Sequence, residues 1–255
     1  MERRFVLYMR IDIITIFPEI FDFYLNQSLI AKAQKKGVLK IKTHNLRDFA
    51  LDKHKIARPH RYASSPAKHC GRVDDKPFGG GRGMVLKVEP LFKAISTLSK
   101  LKVQSSKLKV AKRKVVLFSP RGKKFTQKMA TRWSKLDQLI LICGRYEAID
   151  ERVAKHLADE VISLGDFVLM GGEIPALAVA EAVSRLLPGV AGHSESLIDE
   201  RITKDGGFIE YPQYTRPEVY KTKNGKLLKT PKVLLSGNHK KIGGWREKHS
   251  KVILS

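Results

Sequence analysis

The sequence predicts an α/β fold with a mostly parallel sheet, followed by a smaller second domain. Three observations predict this class. Segments rich in β-branched residues alternate with segments of helical periodicity up to about residue 187. Hydrophobic residues make up 42% of the 255 residues, which is enough for a substantial core. Beyond Pro188 the chain becomes polar, and then basic and rich in turn residues, which indicates a second domain.

The first βαβ unit is the clearest of the predicted elements. Residues 10–17, "RIDIITIF", are a β-branched strand that ends at Pro18. Residues 19–37 carry apolar residues at helical spacing and stop at Gly37, which predicts one helix. Residues 38–46 are the next strand. A polar stretch of roughly thirty residues follows, and a loop of that length in a compact domain is expected to be functional or inserted.

Helices and strands alternate again after this loop. The predicted helices cover residues 89–101, 123–136, 148–158 and 173–187, and the predicted strands cover 114–120, 138–143 and 159–165. Strands separated by helices pair in parallel, so their carboxyl ends meet at one edge of the sheet, where such sheets bind ligands.

Three glycine-containing loops follow the carboxyl ends of predicted strands. They are residues 119–122 ("SPRG"), 144–152 ("GRYEAIDER") and 165–173 ("GDFVLMGGE"). We expect them to form one pocket from backbone groups. A standard phosphate site is not expected, because the chain has neither GxGxxG after its first strand nor GxxxxGK[ST].

Residues 74–84, "DDKPFGGGRGM", form an unusual glycine run before the helix at 89–101. Glycine has no Cβ and adopts φ of either sign, so this run lets the backbone pass close to a ligand or to another chain. A purely structural turn is the alternative interpretation.

The charge balance favours nucleic acid as a partner. Lys and Arg number 49 against 25 Asp and Glu, for a net charge of +24. Phosphate neutralisation rewards dispersed cations, although an anionic membrane, an acidic protein or merely solvated lysine faces are alternatives. The chain has no run of eighteen apolar residues, so we expect no membrane span.

The cysteine and histidine content points to no disulfide framework and no metal site. Cys70 and Cys143 are the two cysteines of the chain, so a reducing, cytoplasmic setting is expected. His60 and His69 lie near Cys70, but their spacing fits no metal motif, and we interpret them as loop residues.

Two segments are interpreted as insertions, at residues 56–72 and near 99–112. The first is polar and rich in proline and serine. In the second, "SKLKV" at 99–103 recurs at 106–110, which we interpret as a local duplication in a surface loop, since a coiled coil needs several heptads.

A set of sequence blocks occurs in a fixed order along the chain. The blocks are "FPE" (17–19), "DDKPFGGGRGM" (74–84), "LFSPRG" (117–122), "ICGRYEAIDERV" (142–153), "ISLGDFVLMGGE" (162–173), "AVSRLLPGV" (182–190), "YPQYTRP" (211–217) and "VLLSGNH" (233–239). In them the chain closely resembles the bacterial tRNA (guanine-N1)-methyltransferase (TrmD) family of the SPOUT class, from Met9 to about Arg246.

The resemblance implies a SPOUT-type parallel sheet with a deep trefoil knot, plus a small, mainly helical C-terminal domain, in an obligate homodimer. Residues 1–190 would form the cofactor-binding and catalytic domain, 191–207 a flexible linker and 208–255 a basic tRNA-binding domain. The implied reaction is methylation of N1 of guanine 37, which lies just 3′ of the anticodon of tRNA and follows another guanine.

S-adenosylmethionine is the cofactor that the resemblance implies, and a magnesium ion is a family-level expectation without assigned ligands. The implied cofactor contacts are Pro120, Gly144, Tyr146, Glu147, Leu164, Gly165, Phe167, Leu169, Gly171 and Gly172. Their glycines would let backbone groups approach the adenine and ribose. Gly79, Gly80 and Gly81 would lie beside the cofactor and the target base, across the dimer.

The chemistry of guanine methylation requires two further side chains, one acidic and one cationic. N1 carries a proton at neutral pH, so methylation needs a carboxylate base and a cation near O6. By resemblance the cation is Arg185, although an arginine that stabilises a helix C-terminus is the alternative. The family's aspartate base falls on Glu200, which keeps the carboxylate and adds a methylene. Asp199 is the adjacent candidate, and a solvated loop acid is the plain alternative.

Two other functions stay open at this stage. One is a non-catalytic RNA-binding protein that kept the SPOUT fold, motivated by glutamate in place of the family's aspartate. The other is a SPOUT methyltransferase with another RNA target. Methyl transfer to purified tRNA, with mapping of the modified nucleotide, distinguishes the three.

Overall fold

A computed structural model describes most of the chain. The described residues are 9–50, 71–100, 112–191 and 208–253. The chain divides into two compact units, Met1–Ser194 and Glu195–Ser255. Most of the two expected insertions and nearly all of the expected linker lie outside the described residues.

A five-stranded parallel sheet forms the centre of the larger unit, in the order β2-β1-β6-β5-β8. The strands are β1 (Met9–Thr15), β2 (Leu39–Asn45), β5 (Arg113–Lys124), β6 (Gln138–Ile142) and β8 (Glu160–Ser163). A smaller sheet consists of β3 (Asp74–Asp75), β4 (Val85–Leu86) and β7 (Ala148–Ile149). The predicted α/β class with a mostly parallel sheet is therefore confirmed.

Helices cover both faces of the large sheet. On one face lie α1 (Asp22–Leu25), α2 (Ser28–Lys35), α4 (Gln127–Trp133) and α6 (Glu173–Ser184), and on the other lie α3 (Val88–Ser99) and α5 (Glu151–His156). Strand β6 is buried along its whole length because it lies between these layers. Its side chains alternate, so Leu139 and Leu141 enter one core while Ile140 and Ile142 enter the other.

The single helix predicted over residues 19–37 is wrong. A 3₁₀ turn at Pro18–Phe21 leads into α1, and the chain then breaks before α2. Ser28 has a φ of 52°, in the left-handed region, which ends the helical path. The Asn26 side chain donates a 2.7 Å hydrogen bond to the carbonyl of Asp22 and so satisfies the end of α1.

Strand β5 extends beyond the predicted strand at 114–120, and it contains an irregularity. Phe118 and Lys123 both pair with Ile162 of β8, so the intervening residues bulge away from the ladder. Gly122 lets the chain return, since a Cβ there would lie 2.5 Å from the backbone nitrogen of Ile162. The "SPRG" segment, residues 119–122, is therefore an unpaired bulge inside strand β5 and not a loop after its end.

A buried ionic cluster ties the central strands together. The Nε and Nη2 atoms of Arg10 donate hydrogen bonds of 2.6 and 2.7 Å to the carboxylate of Asp12. Gln138 Nε2 donates to the same carboxylate at 2.8 Å, and His44 Nε2 lies 2.7 Å from it. Burial raises the pKa of Asp12, but the hydrogen bonds from His44, Arg10 and Gln138 outweigh it and lower the pKa to about 2.

The smaller unit combines two strand pairs with two helices. Strand β9 (Phe208–Glu210) pairs with β12 (Lys251–Ile253), and β10 (Val219–Lys221) pairs with β11 (Leu227–Lys229); the helices are α7 (Lys232–Leu235) and α8 (His239–His249). Every side chain assessed in this unit, over residues 211–250, is at least partly exposed.

Candidate active site

A cavity of about 580 Å³ opens at the carboxyl edge of the parallel sheet. Its walls include the bulge of β5, the loop that follows β6 and the loop between β8 and α6. These are the three glycine-containing loops, so their positions after strands correctly predict a common pocket. The volume lies within the range usual for small-molecule and cofactor sites, roughly 300–1,000 Å³.

All the expected cofactor contacts except one line this cavity. They are Pro120, Gly144, Tyr146, Glu147, Leu164, Phe167, Leu169, Gly171 and Gly172. The exception is Gly165, whose amide donates to the Ser163 hydroxyl and whose carbonyl accepts from it, at 3.3 and 2.9 Å. A Cβ on Gly165 would lie 2.6 Å from the ring of Phe167, so this glycine makes room for the ring.

The two glycines before Glu173 are required by the packing of the protein itself. A Cβ on Gly171 would lie 2.4 Å from Nε of Arg145 and 2.6 Å from Oε2 of Glu173. A Cβ on Gly172 would lie 2.7 Å from the Cα of Cys143. Close approach to a ligand is therefore not needed to explain either glycine.

Arg145 and Glu173 form an ion pair that the sequence analysis did not single out. Nε of Arg145 donates to Oε2 of Glu173 at 2.9 Å, and the hydroxyl of Thr15 donates to Oε1 at 2.8 Å. The guanidinium carbon of Arg145 lies 4.9 Å from the ring centre of Phe17. Burial, followed by the charge of Glu173, raises the pKa of the neighbouring Cys143 thiol well above its usual value.

Tyr146 adopts a conformation that side chains rarely occupy. Its φ is 62°, in the left-handed region, which costs on the order of 1–2 kcal/mol for a residue other than glycine. Such conformations cluster at functional sites. Because Tyr146 lines the cavity and is partly exposed, it is a candidate ligand contact.

The glycine run forms the tip of a hairpin between β3 and β4. Gly79, Gly80, Gly81 and Gly83 have φ of 84°, 80°, 120° and 80°. This confirms that the turn needs glycine's conformational freedom. The first three are exposed and do not line the cavity of this chain.

Gly83 connects this hairpin to the cavity wall. A Cβ there would lie 2.4 Å from the Cγ of Glu147, which is a cavity residue. The amide of Glu147 also donates to the carbonyl of Met84 at 3.2 Å, and β4 continues into pairing with β7. The glycine hairpin and the loop after β6 therefore pack as one piece.

Of the expected catalytic residues, the structure describes Arg185 alone. Arg185 directly follows α6, where its amide donates to the carbonyl of Glu181 at 3.0 Å, and it does not line the cavity. Glu200 and the alternative Asp199 lie outside the described residues. So do His60, His69 and Cys70.

The chemistry of the cavity suits a ligand that carries both charges. Arg121 and Arg145 contribute cations, Glu147 and Glu151 contribute carboxylates, and leucines and Phe167 contribute apolar surface. Arg121 and Glu151 also pair at 2.7 Å. S-adenosylmethionine has a carboxylate, an ammonium, a sulfonium and an apolar adenine face, so the lining residues fit it. Within the ranges that the structure describes, no group of His, Cys, Asp and Glu side chains could hold a metal ion.

A parallel sheet with a glycine-walled cavity at its carboxyl edge defines the chain as an α/β protein with its ligand cavity where open parallel sheets usually bind ligands. The sequence model described as "tRNA (Guanine-1)-methyltransferase TrmD" matches residues 9–253. The chain belongs to this family.

Similar proteins agree with this assignment. The tRNA (guanine-N(1)-)-methyltransferase of Dictyoglomus turgidum is 47% identical over 95% of this chain and 85% of the relative. That of Clostridium novyi is 45% identical over 96% of this chain and 88% of the relative. The crystal structure of tRNA (m1G37) methyltransferase from Aquifex aeolicus has a TM-score of 0.68 and 38% identity, covering 93% of this chain and 87% of that one.

Proposed function

We propose that this chain transfers a methyl group from S-adenosylmethionine to N1 of guanine 37 in tRNA. The observation that carries the proposal is that the sequence blocks resembling the family are also the segments that line the cavity. The blocks that resemble the family, at residues 117–122, 142–153 and 162–173, are the segments that meet around the one cavity at the carboxyl edge of the sheet. Relatives of similar length carry the same activity in their names.

The cavity residues hold the donor. When bound, S-adenosylmethionine supplies an electrophilic methyl group on a sulfonium. Backbone groups around Gly144 would contact the adenine and ribose, with the Gly144 carbonyl itself already accepting from the Gly172 amide at 2.9 Å, and the apolar side chains of Leu164 and Leu169 would supply apolar surface to the adenine. Glu147 offers a carboxylate to the positive part of the ligand. Excluding water strengthens each of these polar contacts.

Proton removal from the target base is assigned to Glu200. Its carboxylate accepts the N1 proton, and the negative charge that develops on the guanine spreads to O6. Arg185 stabilises that charge. Asp199 is the alternative base.

The charge and the smaller unit support tRNA as the partner. The net charge is +24. In the smaller unit Trp245 stacks on His249 with ring centres 4.2 Å apart, and the guanidinium of Arg246 lies 4.8 Å from the ring centre of Tyr211. Trp245 and Tyr211 are partly exposed and His249 is exposed, and accessible rings beside cations suit contacts to bases and phosphates. We expect tRNA affinity to fall steeply as salt rises while donor affinity hardly changes, and a flat salt response for tRNA would contradict the electrostatic argument.

Homodimer formation is part of the proposal. Ile20 and Phe23 are exposed on the segment that packs beside α6, where Ile174 is also exposed, and Phe78 is fully exposed on the glycine hairpin. Exposed apolar side chains of this size favour association. The trefoil knot and the cytoplasmic location stay predictions. None of the described helices is long and apolar enough to cross a membrane.

The homodimer can be tested by mixing inactive variants. If the glycine hairpin serves the partner's site, a Gly80→Val variant mixed with Arg185→Ala should recover activity, since some composite sites are then intact. No recovery, with mixed dimers shown to form, would argue against a shared site.

The experiment that tests the function is methyl transfer from labelled S-adenosylmethionine to a pair of tRNA transcripts that differ only in guanine or adenine at position 37. The proposal predicts labelling of the guanine transcript alone, and nucleoside mass spectrometry should identify 1-methylguanosine. Labelling at another nucleotide indicates a different RNA target. Binding of tRNA without any transfer indicates the non-catalytic alternative.

A further inference from the structure

The loop between β8 and α6 closes one side of the cavity with few attachments of its own. In the described part of the chain, the backbone amides of residues 167–171 donate no hydrogen bond to another backbone group. Phe167, Val168 and Met170 are exposed. The next amide, that of Gly172, donates to the carbonyl of Gly144 at 2.9 Å. Among the described residues, a side-chain contact from Arg145 joins the tip of the loop to the rest of the unit.

Arg145 supplies such contacts. Its Nη1 donates to the carbonyl of Met170 at 3.4 Å, and its guanidinium lies over the ring of Phe17, two residues beyond the end of β1. Arg145 also lines the cavity. One side chain thus joins the loop after β6, the loop before α6 and the chain leaving β1.

Glu173 lies buried behind the cavity wall and fixes the orientation of the Arg145 side chain. It is only 1% exposed and does not line the cavity. One carboxylate oxygen accepts from Nε of Arg145 and the other from the hydroxyl of Thr15. Glu173 also begins α6, where the helix dipole favours a negative charge. A carboxylate engaged on both oxygens can hold a guanidinium in one direction.

We propose that Glu173 is a positioning residue for donor binding. It holds Arg145 so that Arg145 keeps the loop before α6 against the cavity. Gly171 supports this, because a Cβ there would meet both members of the ion pair, which means that loop and pair are in direct contact. The inference rests on the proposed function of the cavity as the donor site.

The main test uses Glu173→Gln, which keeps the shape and removes the charge. We expect S-adenosylhomocysteine, titrated calorimetrically, to bind about 10–100-fold more weakly, as befits the loss of a hydrogen bond between charged groups. In the ligand-free protein, hydrogen–deuterium exchange should accelerate at the amide of Gly172, whose hydrogen bond to the carbonyl of Gly144 anchors the end of the loop, and should stay slow in β6. Thr15→Ser, which keeps the hydroxyl, should behave like the unaltered protein in both measurements.

Combining Arg145→Met with Glu173→Gln distinguishes a positioning role of Glu173 from a purely stabilising one. Arg145→Met alone leaves Glu173 buried without its counter-charge and should lower the melting temperature most. Adding Glu173→Gln removes the orphaned charge, so the melting temperature should recover while the Gly172 amide still exchanges faster and donor affinity stays low. If affinity and the protection of that amide recover together with the melting temperature, the role is purely structural and the inference is overturned.

Failure of the proposed function gives a different result. If the unaltered protein binds no S-adenosylhomocysteine, the cavity is not the donor site. The exchange measurement on the ligand-free protein still decides the positioning role. Faster exchange at the Gly172 amide in Glu173→Gln supports it, and unchanged exchange at that amide contradicts it.

Discussion

Strand β1 carries one buried carboxylate, Asp12, at its middle and contacts another, Glu173, at its carboxyl end, and the two carboxylates differ in what they hold. Asp12 lies within the strand, and its partners Arg10, His44 and Gln138 all belong to strands of the same sheet. Glu173 is reached from the last residue of β1, Thr15, and its other partner is Arg145 in a loop.

The same buried carboxylate chemistry therefore serves stability or function according to the mobility of its partners. Removing the carboxylate at Asp12 leaves a cation between strands that cannot move, so the whole sheet loses free energy of unfolding. Removing the charge at Glu173 releases a loop that can move without unfolding the sheet. Substitutions at each carboxylate and at the proposed base should therefore affect stability and function separately.

Glu200→Gln should separate chemistry from stability most strongly. It preserves the side-chain shape and removes the proposed base, so single-turnover methyl transfer should fall by about 10²–10⁴-fold. Affinity for S-adenosylmethionine and the melting temperature should hardly change. Asp199→Asn is the matched control and should lose much less. The opposite ranking would assign the base to Asp199.

Asp12→Asn should lower stability and leave donor binding unchanged. It should lower the free energy of unfolding by about 3 kcal/mol, because Arg10 stays buried beside a neutral group, while donor affinity measured well below the melting temperature stays the same. Denaturant unfolding is the measurement. Asp75→Asn is the control, since Asp75 pairs with Arg72 on the surface, and it should cost less than about 1 kcal/mol. Equal losses of unfolding free energy in the two variants would argue that the buried cluster stabilises the protein no more than a surface ion pair does.

The pH dependence of stability should expose the same cluster. The pKa of Asp12 is lowered from 3.8 to about 2, so the folded state favours its ionised form. A depressed carboxyl pKa contributes stability that is complete above about pH 5 and is lost progressively as pH falls through about 2, here worth about 2 kcal/mol. The difference in unfolding free energy between the protein and Asp12→Asn should shrink over this window. A constant difference would mean that Asp12 does not titrate in this way.

A smaller effect is expected where the glycine hairpin meets the cavity. Gly83 and Gly80 have the same φ, 80°, but a Cβ would meet Glu147 at Gly83 and nothing within 4 Å at Gly80. Both alanine variants should therefore bear similar backbone strain, about 1 kcal/mol. Gly83→Ala alone should also weaken S-adenosylhomocysteine binding, by about fivefold, because it displaces Glu147. Equal binding in the two variants would separate the hairpin from the cavity.

Much of this architecture could be predicted from local sequence. The alternation of strand and helix patterns is enough to predict the parallel sheet, and the order of loops after strands is enough to predict where they meet. The helix over 19–37 was wrong because apolar spacing alone does not register a left-handed residue such as Ser28. The two-residue strands β3, β4 and β7 are too short to leave any periodic signal.

The ion pair of the cavity could not be predicted in the same way. Glu173 and Arg145 are far apart in the chain, and an acid in the first turn of a helix is already explained by the helix dipole. The neighbouring glycines were a signal, but they suggested close approach of a ligand. The structure shows that the missing Cβ of Gly171 makes room for the ion pair.

The carboxyl edge of the parallel sheet is the proposed binding site of the methyl donor, and a crystal structure of the protein with S-adenosylhomocysteine would show whether the ligand lies there. We expect ligand density in the cavity walled by the loops at residues 119–122, 144–152 and 165–173, with Glu173 and Arg145 paired behind it. Density at any other place, with the cavity empty under conditions where calorimetry shows saturation, would contradict it.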